Sequence, residues 1–216
     1  MTSAGQPRRI GVLGGTFDPV HNGHLHIANA LRTALDLERV VWVPAGRPPH
    51  KAGQIVSKDR DRLAMLDLAL DGSAIDEIST IDVDRSGPSY TADTLEVLAE
   101  RFAPARLFFL MGEDSLRDLP TWHDPERLLR VAELAVAARP GVDVDLETVA
   151  QHVPAVQRRV HLVPTQEIAI SSSDIRRRVR ENESIHGLVP VPVERYIRDH
   201  GLYSERAREA GPGAVR

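Results

Sequence analysis

An α/β fold, built on a doubly wound parallel sheet of about five or six strands, is what this sequence predicts. Three observations carry that expectation. The strand candidates are short, continuous apolar runs such as Arg39–Pro44 (RVVWVP) and Arg106–Met111 (RLFFLM), the pattern of strands covered on both faces. They alternate with amphipathic helical stretches along most of the chain. Glycine-containing turns follow two of them, Gly14-Gly15 and Gly112-Glu113-Asp114, at the edge where open parallel sheets bind ligands. With 216 residues the chain is long enough for one substantial core.

The elements follow in order. Ile10 to Leu13 reads as a buried strand, and Gly14-Gly15 as a sharp turn that removes side chains where a backbone could approach a ligand. Asn22 to Asp36 carries Leu25, Ala28, Leu31 and Leu35 three and four apart, a helix closing a βαβ unit with the strand Arg39–Pro44. Residues 45–53 form a proline-broken loop bearing Arg47, His50 and Lys51. Lys58 to Leu70 is helical with Leu63, Leu66, Ala69 and Leu70 inward, and Ile75 to Ile81 is a weaker strand. A helix runs from the Ser89–Thr94 stretch to about Phe102, followed by the apolar strand from Arg106. Leu116–Trp122 is short and irregular, Pro125–Val131 helical, and Glu133–Ala138 a strand. Asp145–His152 is helical, Arg159–Val163 the last strand, and Ser171-Ser172-Ser173 opens a helix to about Glu181. The final helix lies near Val193–His200, and from Ser204 the small, charged, glycine-containing tail is expected to fray.

Composition excludes several classes. The net charge is −4 and the pI about 6.1, so no global field favours nucleic acid or anionic lipid. With no cysteine there are no disulfides or thiolate metal sites. No stretch suits a signal peptide or approaches the ~20 apolar residues of a membrane span, so a cytoplasmic location without membrane or nucleic-acid partners is expected.

Two clusters carry chemistry. His21 and His24 flank Asn22-Gly23 directly after the glycine turn and before a helix, where unsatisfied N–H groups and the helix dipole favour an anion. His-x-x-His is also a metal-ligand spacing, but no third ligand is fixed by sequence. The glycines are neither a Rossmann fingerprint nor a P-loop. Far downstream, Ser171-Ser172-Ser173-Asp174-Ile175-Arg176 sets hydroxyls at a helix start with an arginine one turn inside: an ordinary N-cap, or a polyphosphate cradle.

Gly14-Gly15-Thr16-Phe17-Asp18-Pro19 with His21-Asn22-Gly23-His24, and Ile170–Arg176, resemble the two signature motifs of the HxGH nucleotidyltransferases. Pro48-Pro49-His50-Lys51, Ser89-Tyr90-Thr91-Ala92-Asp93-Thr94-Leu95, and Gly112-Glu113-Asp114 followed by Leu119-Pro120-Thr121-Trp122-His123 resemble the bacterial nicotinate-nucleotide adenylyltransferases among them. The similarity runs from about Ile10 to Tyr203, so residues 1–203 are taken as one nucleotidyltransferase domain with a Rossmann-like fold. It implies in-line transfer of AMP from ATP to nicotinate mononucleotide, giving deamido-NAD and pyrophosphate in NAD biosynthesis. It further implies catalysis by His21, His24 and Arg176, with Lys51 reaching the reacting phosphates. ATP would lie on Gly14, Gly15, Thr16, Phe17, Gly23, Gly112, Asp114, Ser171, Ser172 and Ser173, with Asp114 accepting from a ribose hydroxyl. Nicotinate mononucleotide would meet Thr16, Asp18, Lys51, Tyr90, Thr91 and Trp122, with Trp122 stacking on the pyridine ring and Thr91 facing the carboxylate. Mg²⁺ is expected on triphosphate oxygens and water, with no protein metal ligands. Glu113 departs from the small residue usual at its position, and beside a triphosphate it needs a partner or must point away. Asp124 follows Trp122-His123 where an aromatic or basic residue is common. The rival readings are a superfamily member acting on another phosphate and a non-catalytic nucleotide sensor. Oligomeric state is not set by the sequence, so a homo-oligomer stays open.

Overall fold

The computed structural model describes residues 7–47, 57–138, 145–166 and 168–204. Its centre is one sheet of β1 (Arg9–Gly15), β2 (Arg39–Pro44), β3 (Asp76–Ile78), β4 (Arg106–Gly112), β5 (Ala132–Ala138) and β6 (Val160–Pro164). The spatial order is β3-β2-β1-β4-β5-β6 and every neighbouring pair is parallel. That is the doubly wound order expected of the alternating pattern, and its direction reverses between β1 and β4. Because all strands run the same way, the C-terminal ends of β1, β2 and β4 open on one edge.

The apolar runs sort by the pleat. Ile10 and Val12 of β1, with Leu107, Phe109 and Met111 of β4, face a core closed by α4 (Thr91–Phe102), α6 (Pro125–Val131), α7 (Leu146–His152) and α8 (Val156–Arg159). Leu13, Phe108, Leu110, Val40 and Trp42 face the opposite core, closed by α1 (Asn22–Ala34), α2 (Asp59–Leu70), α9 (Ser172–Arg180) and α10 (Val191–Asp199). Two faces packed at once explain why these strands carry no polar alternation.

Several local expectations are corrected. Gly14 and Gly15 are still in β1; the chain turns two residues later, where buried Phe17 holds φ 48°. Gly15 is small for a packing reason, since a Cβ there would lie 2.8 Å from the Phe17 ring. The Ile75–Ile81 strand shrinks to Asp76–Ile78, and α3 (Ile81–Asp84) follows, with Thr80 Oγ1 donating to Asp84 Oδ2 at 2.6 Å. As expected, the strand ends at Gly112; α5 (Glu113–Asp118) starts directly there and a 3-10 turn, Leu119–Thr121, continues it. On α2 the buried positions are Asp61, Arg62, Met65 and Leu66, a stripe that includes two charges. The cationic segment Pro48-Pro49-His50-Lys51, and with it Lys51, lies outside the described residues, as do residues 205–216 of the tail.

The end of β2 is fixed to the segment before α4. Arg47 N–H donates to Ser89 Oγ and Ser89 N–H to the Arg47 carbonyl, both at 3.1 Å. Between them Gly46 passes so close that a Cβ would stand 2.0 Å from the Asp82 carbonyl oxygen. Gly46→Ala is therefore expected to destabilise the protein by about 3 kcal/mol through forced separation of these backbones. Urea unfolding at neutral pH checks this, and an unaltered midpoint would show that the segments part easily.

Candidate active site

The loop after β1 is tied down through its own carbonyls. Arg62, fully buried on α2, donates from Nη1 to the Thr16 carbonyl at 2.7 Å and pairs with Asp59 at 2.6 Å. Arg176 Nη1 donates to the Asp18 carbonyl at 2.7 Å, and Ser172 Oγ to the Pro19 carbonyl at 2.9 Å. These last two bonds join residues more than 150 positions apart in sequence, bringing the start of α9 onto the loop that leads into α1. A carbonyl held by a charged donor is fixed more firmly than one held by water, because charge-assisted bonds are roughly twice as strong.

The two imidazoles lie against each other, ring centroids 3.6 Å apart and nearly parallel. His21 is the N-cap of α1, and its backbone N–H donates to His24 Nδ1 at 3.2 Å. An accepting Nδ1 assigns the proton of a neutral His24 ring to Nε2. Phe17 packs edge-on against His24 at 5.1 Å, so the buried left-handed turn also fixes this ring. His21 is buried and its pKa drops to about 4, because burial penalises the imidazolium. Gly23 leaves room for it: a Cβ at Gly23 would lie 3.1 Å from His21 Nδ1. The start of α1 is braced from outside by Asn22, whose N–H donates to the Leu188 carbonyl at 2.9 Å and whose Nδ2 donates to the Gly187 carbonyl at 2.8 Å.

At α9 the hydroxyls divide their work. Ser171 caps the helix, accepting from Asp174 N–H at 3.2 Å, and lies 3.1 Å from Ser173 Oγ. Asp174 pairs with Arg177 and Arg178, both at 2.7 Å, and these charge-assisted bonds hold its pKa below the usual carboxylate range, Arg178 contributing most. Arg177 also pairs with Glu181 and Glu183. Arg176 is thus set apart from its neighbours, pointing back at the loop while they are absorbed in ion pairs along the helix.

Asp18, expected on the mononucleotide, is instead completely buried. Its Oδ1 accepts from the Tyr203 hydroxyl at 2.7 Å and its Oδ2 from Ser57 N–H at 3.3 Å. Burial, and then the Asp18 charge, push the Tyr203 phenol up, which keeps it a proton donor. In this structure the Asp18 side chain faces the wall of the site.

The other expected residues flank the same edge. Gly112 ends β4 with open space around it, and Asp114 is largely exposed at the start of α5. Glu113 is buried and paired with Arg117 at 3.0 Å, which meets the requirement for a partner. Tyr90 caps α4 and stacks on His123, centroids 4.1 Å apart, so the start of α4 and the Trp122–Asp124 turn form one wall. Thr91 is the first residue of α4. Trp122 is half-buried, edge-on to Phe109 at 5.8 Å. Asp124 takes a left-handed φ of 48° and caps α6, accepting from Arg127 N–H at 3.2 Å. Arg127 fastens that helix to α4 through Asp93 at 2.7 Å and Glu96 at 2.5 Å. Arg62, Tyr203 and Arg127 were not singled out by sequence; only the Asp59/Arg62 spacing of one helical turn hinted at any pairing.

Among the described residues no group of three or more His, Asp or Glu is arranged to hold a metal ion. No described helix is long and apolar enough to cross a membrane. The functional groups gathered here are N–H and O–H donors, which suit phosphate oxygens.

Residues 12–178 match the family described as Cytidylyltransferase-like. A "Probable nicotinate-nucleotide adenylyltransferase" of Thermomicrobium roseum is 54% identical over 195 residues, covering 90% of this chain and 91% of the relative. The similarly named protein of a Roseiflexus species is 43% identical, covering 90% and 97%. Among solved structures, the Plasmodium falciparum nicotinic acid mononucleotide adenylyltransferase complexed with NaAD superposes with a TM-score of 0.72 at 20% identity, over 91% of this chain and 97% of that one. The same enzyme complexed with APC gives 0.70 at 19%. At that identity the likeness is one of fold.

The buried His21 makes stability depend on pH in a defined direction. An unfolded chain protonates His21 near 6.5 and the folded one only near 4, so the unfolded state binds more protons between them. His21 therefore costs stability as pH falls from about 6.5 to about 4, by on the order of 3 kcal/mol across the window. Urea unfolding at pH 7 and 4.5 should show a smaller acid loss for His21→Gln than for the parent. Equal losses would mean that His21 is charged in the folded protein.

Proposed function

The chain belongs to the cytidylyltransferase-like family and, within it, to the nicotinate-nucleotide adenylyltransferases, and we propose that the site described above performs their reaction by direct phosphate attack. The enzyme transfers AMP from ATP to nicotinate mononucleotide. A phosphate oxygen of the mononucleotide bonds to the α-phosphorus of ATP, the bond from that phosphorus to the bridging oxygen breaks, and pyrophosphate leaves with the electron pair. The product is deamido-NAD.

The nucleophile is a phosphate monoester whose second pKa near 6 leaves it mostly dianionic at neutral pH, so no general base is needed. The difficulty lies in holding two polyanions together and meeting the charge that gathers on the α-phosphate and leaving pyrophosphate. The single observation that carries this proposal is the pair of bonds from Ser172 and Arg176 to the Pro19 and Asp18 carbonyls, which puts the serine–arginine helix start beside the stacked histidines. Arg176 spends one nitrogen on the Asp18 carbonyl; the other faces of its fork suit the β- and γ-phosphates, with Ser172 and Ser173 at the same helix start. His24, whose Nδ1 accepts from the His21 N–H, presents its Nε2–H to the phosphates as charge develops. His21 stays neutral at working pH and serves as the wall on which His24 stacks.

Gly14, Gly15, Thr16, Phe17 and Gly23 form the backbone floor under the nucleotide; Gly112 and exposed Asp114 take its ribose side; Lys51 completes the phosphate contacts. Tyr90, Thr91 and Trp122, on the wall held by Tyr90 and His123, receive the mononucleotide. Since the site's side chains are donors, a Mg²⁺ ion would be held by triphosphate oxygens and water, neutralising part of the leaving group's charge. The cytoplasmic location expected from the sequence goes with this proposal.

Incubation with ATP, Mg²⁺ and nicotinate mononucleotide should release pyrophosphate; no release would defeat the proposal, and a preference for nicotinamide mononucleotide would replace the acceptor. His24→Ala is expected to lower kcat by about 10²–10³ while the KM for ATP moves less than about threefold, because its donor matters most in the transition state. Equal losses in both would make it a binding residue. Trp122→Ala should raise the KM for nicotinate mononucleotide by roughly tenfold at little cost in kcat. An unmoved KM would remove Trp122 from the pocket.

A further inference from the structure

The C-terminal segment reaches the site through one hydroxyl. Tyr203 follows the end of α10 in a left-handed turn, φ 64°, with Gly201 N–H and Leu202 N–H bonded back to the Arg198 and Ile197 carbonyls. The turn is anchored from α10 itself, where Tyr196 donates its hydroxyl to the buried Asp61 of α2 at 3.0 Å. A left-handed non-glycine residue persists only where its surroundings over-determine it. What determines it here is the ring, which is buried, and the hydroxyl, which donates to Asp18 Oδ1 at 2.7 Å.

Asp18 has two ends with two duties. Its carboxylate is held by Tyr203 and by Ser57 N–H, while its carbonyl accepts from Arg176. Side chain and carbonyl belong to one residue in a turn packed between Phe17 and Val20, both fully buried, so fixing the carboxylate fixes the direction of the carbonyl. We infer that Tyr203 is a positioning residue for ATP: its hydroxyl holds Asp18 so that the Asp18 carbonyl aims the Arg176 guanidinium at the β- and γ-phosphates. This rests on the assignment of Arg176 to the triphosphate made above. Tyr203 touches neither substrate, and its effect on the reaction passes through Arg176 alone.

Coupling between the two variants separates this role from plain stabilisation. Tyr203→Phe keeps the ring and removes only the donor. It is expected to lower kcat/KM for ATP about tenfold, the worth of one hydrogen bond to a charged group, with the KM for nicotinate mononucleotide within about twofold. In an Arg176→Ala background the same change should cost less than about twofold, since the group it positions is gone. A tenfold loss that persists in full without Arg176, a loss shared equally by both substrates, or no loss at all would overturn the inference. Should Tyr203→Phe not fold, Asp18→Asn weakens the same bond from the acceptor side. Its effect on ATP must likewise shrink in the Arg176→Ala background, and full additivity would again be fatal. Arg176→Ala by itself tests the underlying assignment: if it leaves ATP kinetics intact, that assignment fails, whereas a large effect of Arg176→Ala with a fully additive Tyr203→Phe defeats only the role given to Tyr203.

Discussion

The constraint on which the site depends is the capture of three carbonyl groups in the loop after β1. Thr16, Asp18 and Pro19 present their oxygens to Arg62, Arg176 and Ser172. A loop buried this deeply cannot leave its carbonyls to water, and each must find a protein donor. Two of those donors are guanidinium groups, and all three come from helices remote in sequence. The loop's need for partners is thereby what draws α2 and α9 together around the start of α1. The chemistry inherits its geometry from a backbone requirement.

The same economy governs the charges. Arg62 is fully buried, yet it has a carbonyl and a carboxylate to offset the loss of water. Glu113 is buried at the end of β4, and Arg117 answers it. Around α9, Arg177 and Arg178 are absorbed by Asp174, Glu181 and Glu183, leaving Arg176 to face the loop. The histidines follow a different logic: burial keeps His21 neutral, and the His21 N–H fixes the His24 ring through its Nδ1.

The fold sets where this happens. In the order β3-β2-β1-β4-β5-β6 the chain leaves β1 in one direction and β4 in the other, so a crevice opens between their carboxyl ends. Gly15 and Gly112 end those strands, so the motifs that follow them begin on the same edge of the sheet. The wall at the start of α4 is assembled similarly, by the Tyr90–His123 stack, the Arg127 ion pairs and the close passage of Gly46 under Asp82.

Sequence by itself determined the α/β class, the parallel sheet, the helix starts at Asn22, Thr91, Pro125 and Ser172 to within a residue or two, and the residue types of the site. These are encoded locally, in apolar runs, helical spacing and capping chemistry, and short-range patterns survive in one dimension. It also supplied the two outer motifs, though not what binds them together. Tertiary structure decided that the turn falls at Phe17 and not at the glycines, that Asp18 faces inward, that Arg62 is buried, and that Tyr203 closes on the loop. The physical reason is the same in each case. A residue such as Arg62 or Tyr203 looks like an ordinary surface or terminal side chain until the fold shows which buried oxygen it must satisfy, and that oxygen can lie 46 or 185 positions away.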